Sequence, residues 1–289
     1  MTDIQTQQNL KVLLVTDLYP IEKDDTIPFI IKDFACALNE FDLKVEVVRS
    51  VFLPNSLIRK HKIIKNGIYE KDGVKIYNRN FILPFLNNNT DYLQNNYDCI
   101  ISHMPSGHIY ADLINQKLKL PHISILHYSD YHVLNDFKYR FYFKKRLEKA
   151  LKNSIVKGAR NVYLAKMCGC DFVLSSYIEK FVQEKKLNSK EKLKLITLSK
   201  LIERKKIQDV IEALSKAEFD FEYNIYGKGN YKNHLQKLIK KYNLEDKIKL
   251  KGYIEHDKIN KVLDDSDIFI LPSVRESFGV CYLEAMARG

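Results

Sequence analysis

The segment DIFILPSVRESFGVCYLEAMARG, residues 267–289, runs from a short apolar strand through a polar loop into a pattern typical of a helix. Glu276 lies in the loop, and Gly279 permits a tight turn before the helix that carries Glu284. Because carboxylates accept hydrogen bonds from hydroxyls, this pair can hold two polyol parts of one elongated ligand. The alternative from spacing alone is a solvated loop residue, Glu276, followed by a helix-surface residue, Glu284.

The sequence upstream of this segment alternates short β-branched runs with amphipathic stretches. The runs of the second half are LKLITLSK, KIQDVIEALSKA, FEYNIYGKG, NYKNHLQKLIKKY, KIKLKGYI, HDKINKVLDD and DIFILPS. Strands that alternate with helices are typical of parallel sheets, so we predict an α/β fold with two Rossmann-like, doubly wound domains. The charged stretch LNSKEKLK separates two such series, which places the domains at 1–187 and 188–289. Ligands of such sheets bind at the carboxyl ends of the strands, and we expect a cleft between the domains.

The first series is less regular than the second. We predict strands in KVLLVTDLYP (11–20), KVEVVRSV (44–51), YDCIISHMP (97–105) and PHISILHYSD (121–130), and helices at 28–41, 108–118, about 134–157 and 177–186. Residues 52–96 are mostly loop-like, with a hairpin turn at Asp72-Gly73.

Three further loops of the second series follow strands. Lys200 and Lys205 stand between a strand and a helix, where positive side chains are unfavourable unless an anion joins them. They are a candidate phosphate site, or simply exposed lysines. The YGKGN loop (226–230) lacks the third glycine of a dinucleotide fingerprint, so it is a weak phosphate site or a tight turn. Gly252 ends a strand and lets a planar base approach the backbone.

The composition narrows the class of protein. The formal net charge is +11, which suits nucleic acid, acidic lipid headgroups or phosphorylated small molecules, or reflects only a lysine-rich surface. No aromatic and basic nucleic-acid recognition motif is found. The N-terminus is not a signal peptide, and no run of about 18 apolar residues spans a membrane. The five cysteines lack metal-ligand spacing and are interpreted as buried thiols of a reducing cytosol.

Several polar residues suggest chemistry only superficially. The isolated histidines are interpreted as surface or core-edge residues, with His103 the best placed because its strand end faces the expected cleft; they are His61, His103, His108 and His234. Asp264, Asp265 and Asp267 resemble a metal-binding Asp-x-Asp but lie between a helix end and a strand, so no metal is expected.

Residues 268–289 resemble the signature of glycosyltransferase family 4: a strand ending in Leu-Pro-Ser, then Glu-x-Phe-Gly, then Glu-Ala-Met-Ala-x-Gly. The resemblance continues upstream through LITLSKLIERKKIQDVIEAL, IYGKGNYKNHL and KIKLKGYIEHDKINKVLDDSDIFILPS, so it covers 194–289 closely. In the first half it is looser and rests on ILHYSD (125–130), which is similar to His-Gly-Ser-Asp of the family. It implies the GT-B fold, with an acceptor-side domain at 1–187 and a nucleotide-sugar-binding domain at 188–289.

The resemblance also implies roles for single residues. Glu276 would contact the transferred sugar and Glu284 the ribose, while Lys200 and Lys205 would bind the diphosphate. Lys200 stands where the family usually has arginine, which gives up a bidentate fork but keeps the charge. His127 would lie beside the sugar, with Asp130 at the family's spacing. The remaining implied donor-binding residues are Gly252, Tyr253, Ile254 near the base and Ser277, Phe278, Gly279 near the sugar and phosphate.

Two departures from the family pattern concern the first half. The loop DLYPIEKDDTIPF is not glycine-rich, and Thr26-Ile27-Pro28 stand where the family has that loop. The usual Asn-Gly between the domains is missing near SSYIEKF (175–181). Four strands are found in 194–271, so the second domain is expected to be incomplete and the chain to be truncated at its C-terminal end.

The resemblance implies a retaining hexosyltransferase that moves a sugar from a UDP- or GDP-sugar to an acceptor hydroxyl, without a metal cofactor. The expected setting is bacterial surface polysaccharide biosynthesis, with a lipid-linked or glycan acceptor. The expected location is the cytoplasm, at the inner face of the cell membrane, where the basic, aromatic stretch 137–149 meets anionic headgroups. The competing interpretation is a non-catalytic protein that binds a sugar nucleotide or a protein partner.

Overall fold

The computed structural model describes residues 10–21, 30–52, 63–81, 89–93, 96–135, 141–174, 192–274, 276 and 279–289. The chain divides into two units, Met1–Ser175 (unit 1) and Ser176–Gly289 (unit 2). The predicted boundary at 187/188 and the predicted helix at 177–186 lie outside the described residues.

Unit 1 is built around a large sheet. Its strands are β1 (Lys11–Thr16), β2 (Lys44–Phe52), β3 (Gly67–Lys71), β4 (Val74–Phe81), β5 (Cys99–His103), β6 (His122–Leu126), β7 (Val156–Ala159) and β8 (Phe172–Val173). The order across the sheet is β3-β4-β2-β1-β5-β6-β7-β8, and every pair except β3–β4 is parallel. The unbroken apolar run of β1 is buried on both faces, as a central strand of a parallel sheet requires.

The helices of unit 1 connect these parallel strands. They are α1 (Ile30–Glu40), α2 (Pro105–Leu118), α3 (Tyr128–Asn135), α4 (Phe141–Asn153) and α5 (Val162–Cys168). Apolar side chains of α1 and α2 pack on the sheet, with Ile31 and Ala35 on α1 and Ile109 and Ile114 on α2 among the most buried.

Three local predictions need correction. The hairpin at Asp72-Gly73 is confirmed, but it joins two regular strands, β3 and β4, inside the region predicted to be mostly loop. The predicted strand at 121–130 ends at Leu126, because Asp130 accepts a hydrogen bond from the backbone N–H of His127 and starts helix α3 there. The predicted helix at about 134–157 extends too far, since α4 ends at Asn153 and the β-branched run that follows forms β7.

Unit 2 contains the four predicted strands. They are β9 (Leu193–Leu198), β10 (Phe221–Tyr226), β11 (Ile248–Gly252) and β12 (Ile268–Phe269). Its helices are α6 (Ile207–Leu214), α7 (Lys232–Lys241), α8 (Ile259–Asp264) and α9 (Val280–Met286), with 3₁₀ turns η1 (Glu203–Lys205) and η2 (His256–Lys258). All pairs are parallel in the order β11-β10-β9-β12.

The order of strands in unit 2 marks where a ligand is expected. From β9 the chain continues to β10 and β11 on one side, and then returns to place β12 on the other side. The loops that follow β9 and β12 therefore diverge at a topological switch point, where open α/β sheets bind ligands. Within the described ranges, no helix combines the length and the apolar composition of a transmembrane span.

Candidate functional site

The carboxyl edge of the unit 2 sheet is held together by backbone hydrogen bonds between its loops. Leu201 N–H donates to Lys228 O at 2.9 Å, which joins the loops after β9 and β10. Gly227 N–H donates to Gly252 O at 2.7 Å, which adds the end of β11. The loop after β12 is attached through Val274 N–H, which donates to the carbonyl of residue 204 at 2.9 Å. Four separate loops thus form one connected surface.

The two glycines of the YGKG turn allow this close approach. A Cβ on Gly227 would lie 1.8 Å from Ser199 O, and one on Gly229 would lie 2.0 Å from Leu201 O. Both distances are impossible for a side chain, so the loop after β10 can lie against the loop after β9 only with glycine at these positions. The two glycines therefore let the loop after β10 pack directly against the loop after β9, which carries Lys200 and Lys205.

The most concentrated polar cluster of this surface is formed by Lys205, Arg204, Ser273 and Glu276. Nζ of Lys205 and Oγ of Ser273 both donate hydrogen bonds to Oε1 of Glu276. Nη1 of Arg204 lies 3.7 Å from the same oxygen. The Lys205 side chain is only 10% exposed and that of Glu276 21%, whereas the Arg204 side chain is 49% exposed. The loops after β9 and β12 therefore meet in an ion pair at the topological switch point.

The surroundings of Glu276 favour its charged form. Burial alone would raise the pKa of this carboxyl, but the hydrogen bonds from Lys205 and Ser273 and the charges of Lys205 and Arg204 outweigh it and lower the pKa. Glu276 is therefore an anionic hydrogen-bond acceptor at neutral pH, and hydroxyl groups are donors that it can bind.

A second carboxylate lies on α9. Oε1 of Glu284 is 3.2 Å from Nε2 of His256, which belongs to η2 after β11. One turn earlier on α9, burial raises the pKa of the Cys281 thiol to about 11; Lys205 lowers it, and Glu276 and Glu284 raise it. The two carboxylates and Lys205 therefore all lie within electrostatic reach of one thiol.

The other predicted residues of unit 2 occupy the rim of this surface. Lys200 is exposed directly after β9. Gly252 ends β11 with φ of +81°, and Tyr253 is 48% exposed with Nζ of Lys228 4.8 Å from its ring centre. Ile254 packs in one apolar cluster with Ala285 of α9.

The turn before α9 is only partly described. Gly279 has φ of +77° and directly precedes α9, as a residue other than glycine rarely could. Ser277 and Phe278 lie outside the described residues, so their predicted roles stay predictions.

Three residues of the site were missed by sequence reasoning. Arg204 and Ser273 contact Glu276, and His256 contacts Glu284. Arg204 directly precedes Lys205 and Ser273 ends the Leu-Pro-Ser motif, so both were signalled by their neighbours. His256 had no local signal, because only the fold brings η2 to α9.

The acidic residues near β12 have structural roles. Asp264 pairs with Arg288, with Oδ1 2.6 Å from Nε, and Oδ2 of Asp267 accepts a hydrogen bond from Lys194 N–H at 2.8 Å. Among the described residues, no group of three or more His, Cys, Asp or Glu side chains is arranged to hold a metal ion.

Comparison with known proteins identifies the family of unit 2. The family model of glycosyl transferases group 1 matches residues 179–289. These residues form a group 1 glycosyltransferase domain. The amylovoran biosynthesis glycosyltransferase AmsK of Erwinia amylovora is 36% identical over 106 residues, which are 34% of this chain and 26% of AmsK. The match thus spans about a quarter of that relative.

Comparison with solved structures shows that the similarity in fold covers nearly the whole chain and not only residues 179–289. Sucrose-phosphate synthase from Thermosynechococcus elongatus matches with a TM-score of 0.72 and 13% identity, over 97% of this chain and 79% of that one. HepE of Anabaena, solved in complex with UDP and glucose, matches with a TM-score of 0.66 and 14% identity, over 96% of this chain and 78% of HepE. The predicted GT-B fold is confirmed.

In unit 1, which precedes the glycosyltransferase domain, the predicted residue His127 lies directly after β6. It is 5% exposed, and its Nε2 is 3.0 Å from Nδ1 of His103, the last residue of β5. Its backbone N–H donates to Oδ2 of Asp130 at 2.7 Å. His127 therefore belongs to a buried polar network, which sequence reasoning did not foresee.

The same network contains histidines that were interpreted as surface or core-edge residues. His103 and His108 are 1% and 0% exposed, so that interpretation is wrong for both. Oγ of Ser102 lies 2.6 Å from Nδ1 of His108 and 2.7 Å from Nε2 of His122. A serine hydroxyl can donate one hydrogen bond and accept another, so Ser102 can satisfy both rings at once.

The loop after β1 departs from the family pattern. In the described part of this loop, the Tyr19 ring is fully buried and packs with α1 residues such as Ile31. Thr26, Ile27 and Pro28 lie outside the described residues, as does His61. The cysteines are free thiols, but each is only partly buried.

Proposed function

We propose that the chain is a glycosyltransferase that takes a sugar from a nucleotide diphosphosugar, with UDP or GDP as the nucleotide, and transfers it to an acceptor hydroxyl. Unit 2 binds the donor. Glu276 contacts the transferred sugar, Lys205 and Lys200 bind the diphosphate, and Glu284 binds the ribose. The base lies against 252–254, and His127 of unit 1 contacts the sugar.

The arrangement of charged groups along unit 2 carries this proposal. The residues assigned to the diphosphate and to the sugar, Lys205 and Glu276, form an ion pair, so they can bind two parts of the donor that are covalently joined. At the other side, Glu284 contacts His256, two residues beyond the 252–254 loop proposed for the base. Both contacts agree with the order base, ribose, diphosphate and sugar along the donor.

The proposed chemistry follows from these charges. The bond between the anomeric carbon and the diphosphate oxygen breaks, and negative charge develops on the leaving diphosphate. Lys205 and Lys200 stabilise that charge, which is the main contribution that fixed cations make to such a reaction. The acceptor oxygen attacks from the face that the diphosphate leaves, and its proton passes to a diphosphate oxygen, so the configuration is retained.

We place this activity in bacterial surface polysaccharide biosynthesis, with a lipid-linked or glycan acceptor. The similarity of unit 2 to AmsK supports the pathway class. The basic helix α4 supports an anionic membrane surface at the inner face of the cell membrane, since each Lys or Arg near such a surface contributes about 1 kcal/mol. Part of the stretch 137–149 lies outside the described residues.

Turnover of donor sugars tests the proposal. Purified protein is incubated with a panel of UDP- and GDP-hexoses, and free nucleotide and transferred sugar are measured. We expect at least one donor to be consumed, and Glu276→Gln to lower the rate about 100-fold, since the amide keeps the shape but loses the charge. Glu255→Gln, an exposed carboxylate of the neighbouring loop, is the matched control. Donor binding without turnover in the wild type would favour the non-catalytic interpretation.

A further inference from the structure

A pair of buried histidines connects two neighbouring strands of unit 1. His103 ends β5, and His127 directly follows β6, its parallel neighbour. Nδ1 of His103 lies 3.0 Å from Nε2 of His127, and the ring centroids are 5.3 Å apart. Since the two residues are 1% and 5% exposed, water does not compete for these nitrogens.

Both rings are neutral at neutral pH. Burial is the main cause that lowers the pKa of His103 well below its usual value. Burial also lowers the pKa of His127 to about 4, although the charge of Asp130 acts in the opposite direction. Two neutral imidazoles joined through one nitrogen each share one proton, so one ring donates and the other accepts. The direction of this hydrogen bond fixes which nitrogen of His127 carries its proton.

The second nitrogen of His103 decides the direction. Nε2 of His103 is buried and has no hydrogen-bond partner in the part of the chain that the structure describes, and the Phe34 ring packs edge-on at 5.2 Å. Among backbone groups, a buried N–H without an acceptor is rarer than an under-satisfied buried acceptor, and we apply the same preference to the imidazole. The proton of His103 therefore belongs on Nδ1, from which it is donated to Nε2 of His127.

The main chain of His127 is held by a different group. Its N–H donates to Oδ2 of Asp130 at 2.7 Å, and Asp130 N–H donates back to His127 O at 3.0 Å. This reciprocal pair fixes the backbone at the start of α3. The ring is oriented separately, through the contact of its Nε2 with His103.

We infer that His103 is a positioning residue that holds His127 in the form protonated on Nδ1, so that His127 offers an N–H donor to an oxygen of the transferred sugar. This inference rests on the proposed function for the role of the donor, but the protonation of the two rings can be observed without any substrate.

Long-range ¹H–¹⁵N spectra of ¹⁵N-histidine-labelled protein test the inference. We compare the wild type with His103→Asp, whose carboxylate only accepts hydrogen bonds, and with the isosteric His103→Asn, whose amide can place an N–H near the position of Nδ1. His127 is expected to be protonated on Nδ1 in the wild type and in His103→Asn, and to be protonated on Nε2 in His103→Asp. His234→Asn, on the exposed side of α7, is the control that leaves the His127 signals unchanged.

Turnover provides the second readout. With UDP-glucose and GDP-mannose as probes, His103→Asp should lower kcat/KM about tenfold, the worth of one hydrogen bond, and His103→Asn should keep most of the wild-type value. A wild-type His127 protonated on Nε2, or one whose protonation is the same in His103→Asp, would overturn the inference. If the wild type consumes no donor while the spectra change as expected, the proposed function is contradicted and the assignment of the protons stands.

Discussion

The polar clusters of the two sheets differ in character. In unit 2, Lys205 and Glu276 are charged and keep part of their surface exposed. In unit 1, Ser102, His122 and His127 are almost wholly buried, and burial keeps the two histidines neutral by lowering the pKa of each, to about 3 and about 4. The first arrangement can exchange its internal ion pair for contacts with a charged ligand. The second is a network of neutral side chains whose hydrogen bonds join β5 to β6.

Substitution of Gly229 by alanine should have the largest effect and should be confined to unit 2. The new Cβ would meet Leu201 O at 2.0 Å, so the loop after β9 must move. We expect a loss of about 2–3 kcal/mol in the free energy of unfolding. Hydrogen exchange of peptides from β9 and β10, compared with peptides from β1 and β5, measures it.

Asn230→Ala provides the control for that substitution, since its side chain is exposed in the same loop. Equal exchange in Gly229→Ala and Asn230→Ala would show that the close contact between the two loops is not needed for unit 2.

The matching substitution in unit 1 is Ser102→Ala. It removes the hydroxyl shared by His108 and His122 at 2.6 and 2.7 Å, and leaves ring nitrogens without a partner in the interior. We expect unit 1 to lose about 2 kcal/mol and unit 2 to be unchanged, by the same exchange measurement. Ser154→Ala, at the half-buried end of the network, should cost less than half as much. If Ser154→Ala destabilised unit 1 more than Ser102→Ala does, the central role of Ser102 in the network would be contradicted.

Acidification should lower the free energy of unfolding of unit 1 more than that of unit 2, and this difference should be smaller than the effects of the two substitutions. The pKa values of His122 and His127 are lowered from 6.5 to about 3 and about 4. Above pH 6.5 both rings are neutral in the folded and the unfolded chain, and the stability of unit 1 is lost progressively as the pH falls from 6.5 toward those lower values. In this window the unfolded chain binds more protons, and unit 1 loses about 1.4 kcal/mol per pH unit for each histidine. The pKa of Glu276 is lowered from 4.5, so its contribution in unit 2 persists until lower pH.

Exchange measured at pH values from 7 to 5, corrected for the intrinsic rate, should therefore show protection lost in β5 and β6 before β9 and β10. His234→Gln should not alter the slope, because that side chain is exposed. Simultaneous loss in both units would contradict the assignment of neutral histidines to unit 1.

The comparison also explains what could be predicted from the sequence. Strands of unit 2 were predicted because their apolar runs and intervening amphipathic helices are local patterns, and the family signature at 268–289 pointed to Glu276 and Glu284. The contact of Glu284 with His256 depends on strand order, which local patterns do not contain, so His256 was missed. In unit 1, His103, His108 and His122 are polar residues in an apolar environment. Their burial follows from partners 6 to 24 residues away, such as Ser102 and His127, which periodicity does not reveal.

Calorimetric titration of nucleotides and their sugars tests most directly the claim that unit 2 holds the donor with Glu284 at the ribose and Glu276 at the sugar. UDP, UDP-glucose, GDP and GDP-mannose are titrated into the wild type, Glu276→Gln and Glu284→Gln. We predict that Glu284→Gln weakens the binding of a nucleotide and of its sugar equally, about tenfold for one lost hydrogen bond to a charged group, whereas Glu276→Gln weakens only the binding of the nucleotide sugar. No binding of any of the four by the wild type, or equal weakening of free nucleotide by both variants, would contradict it.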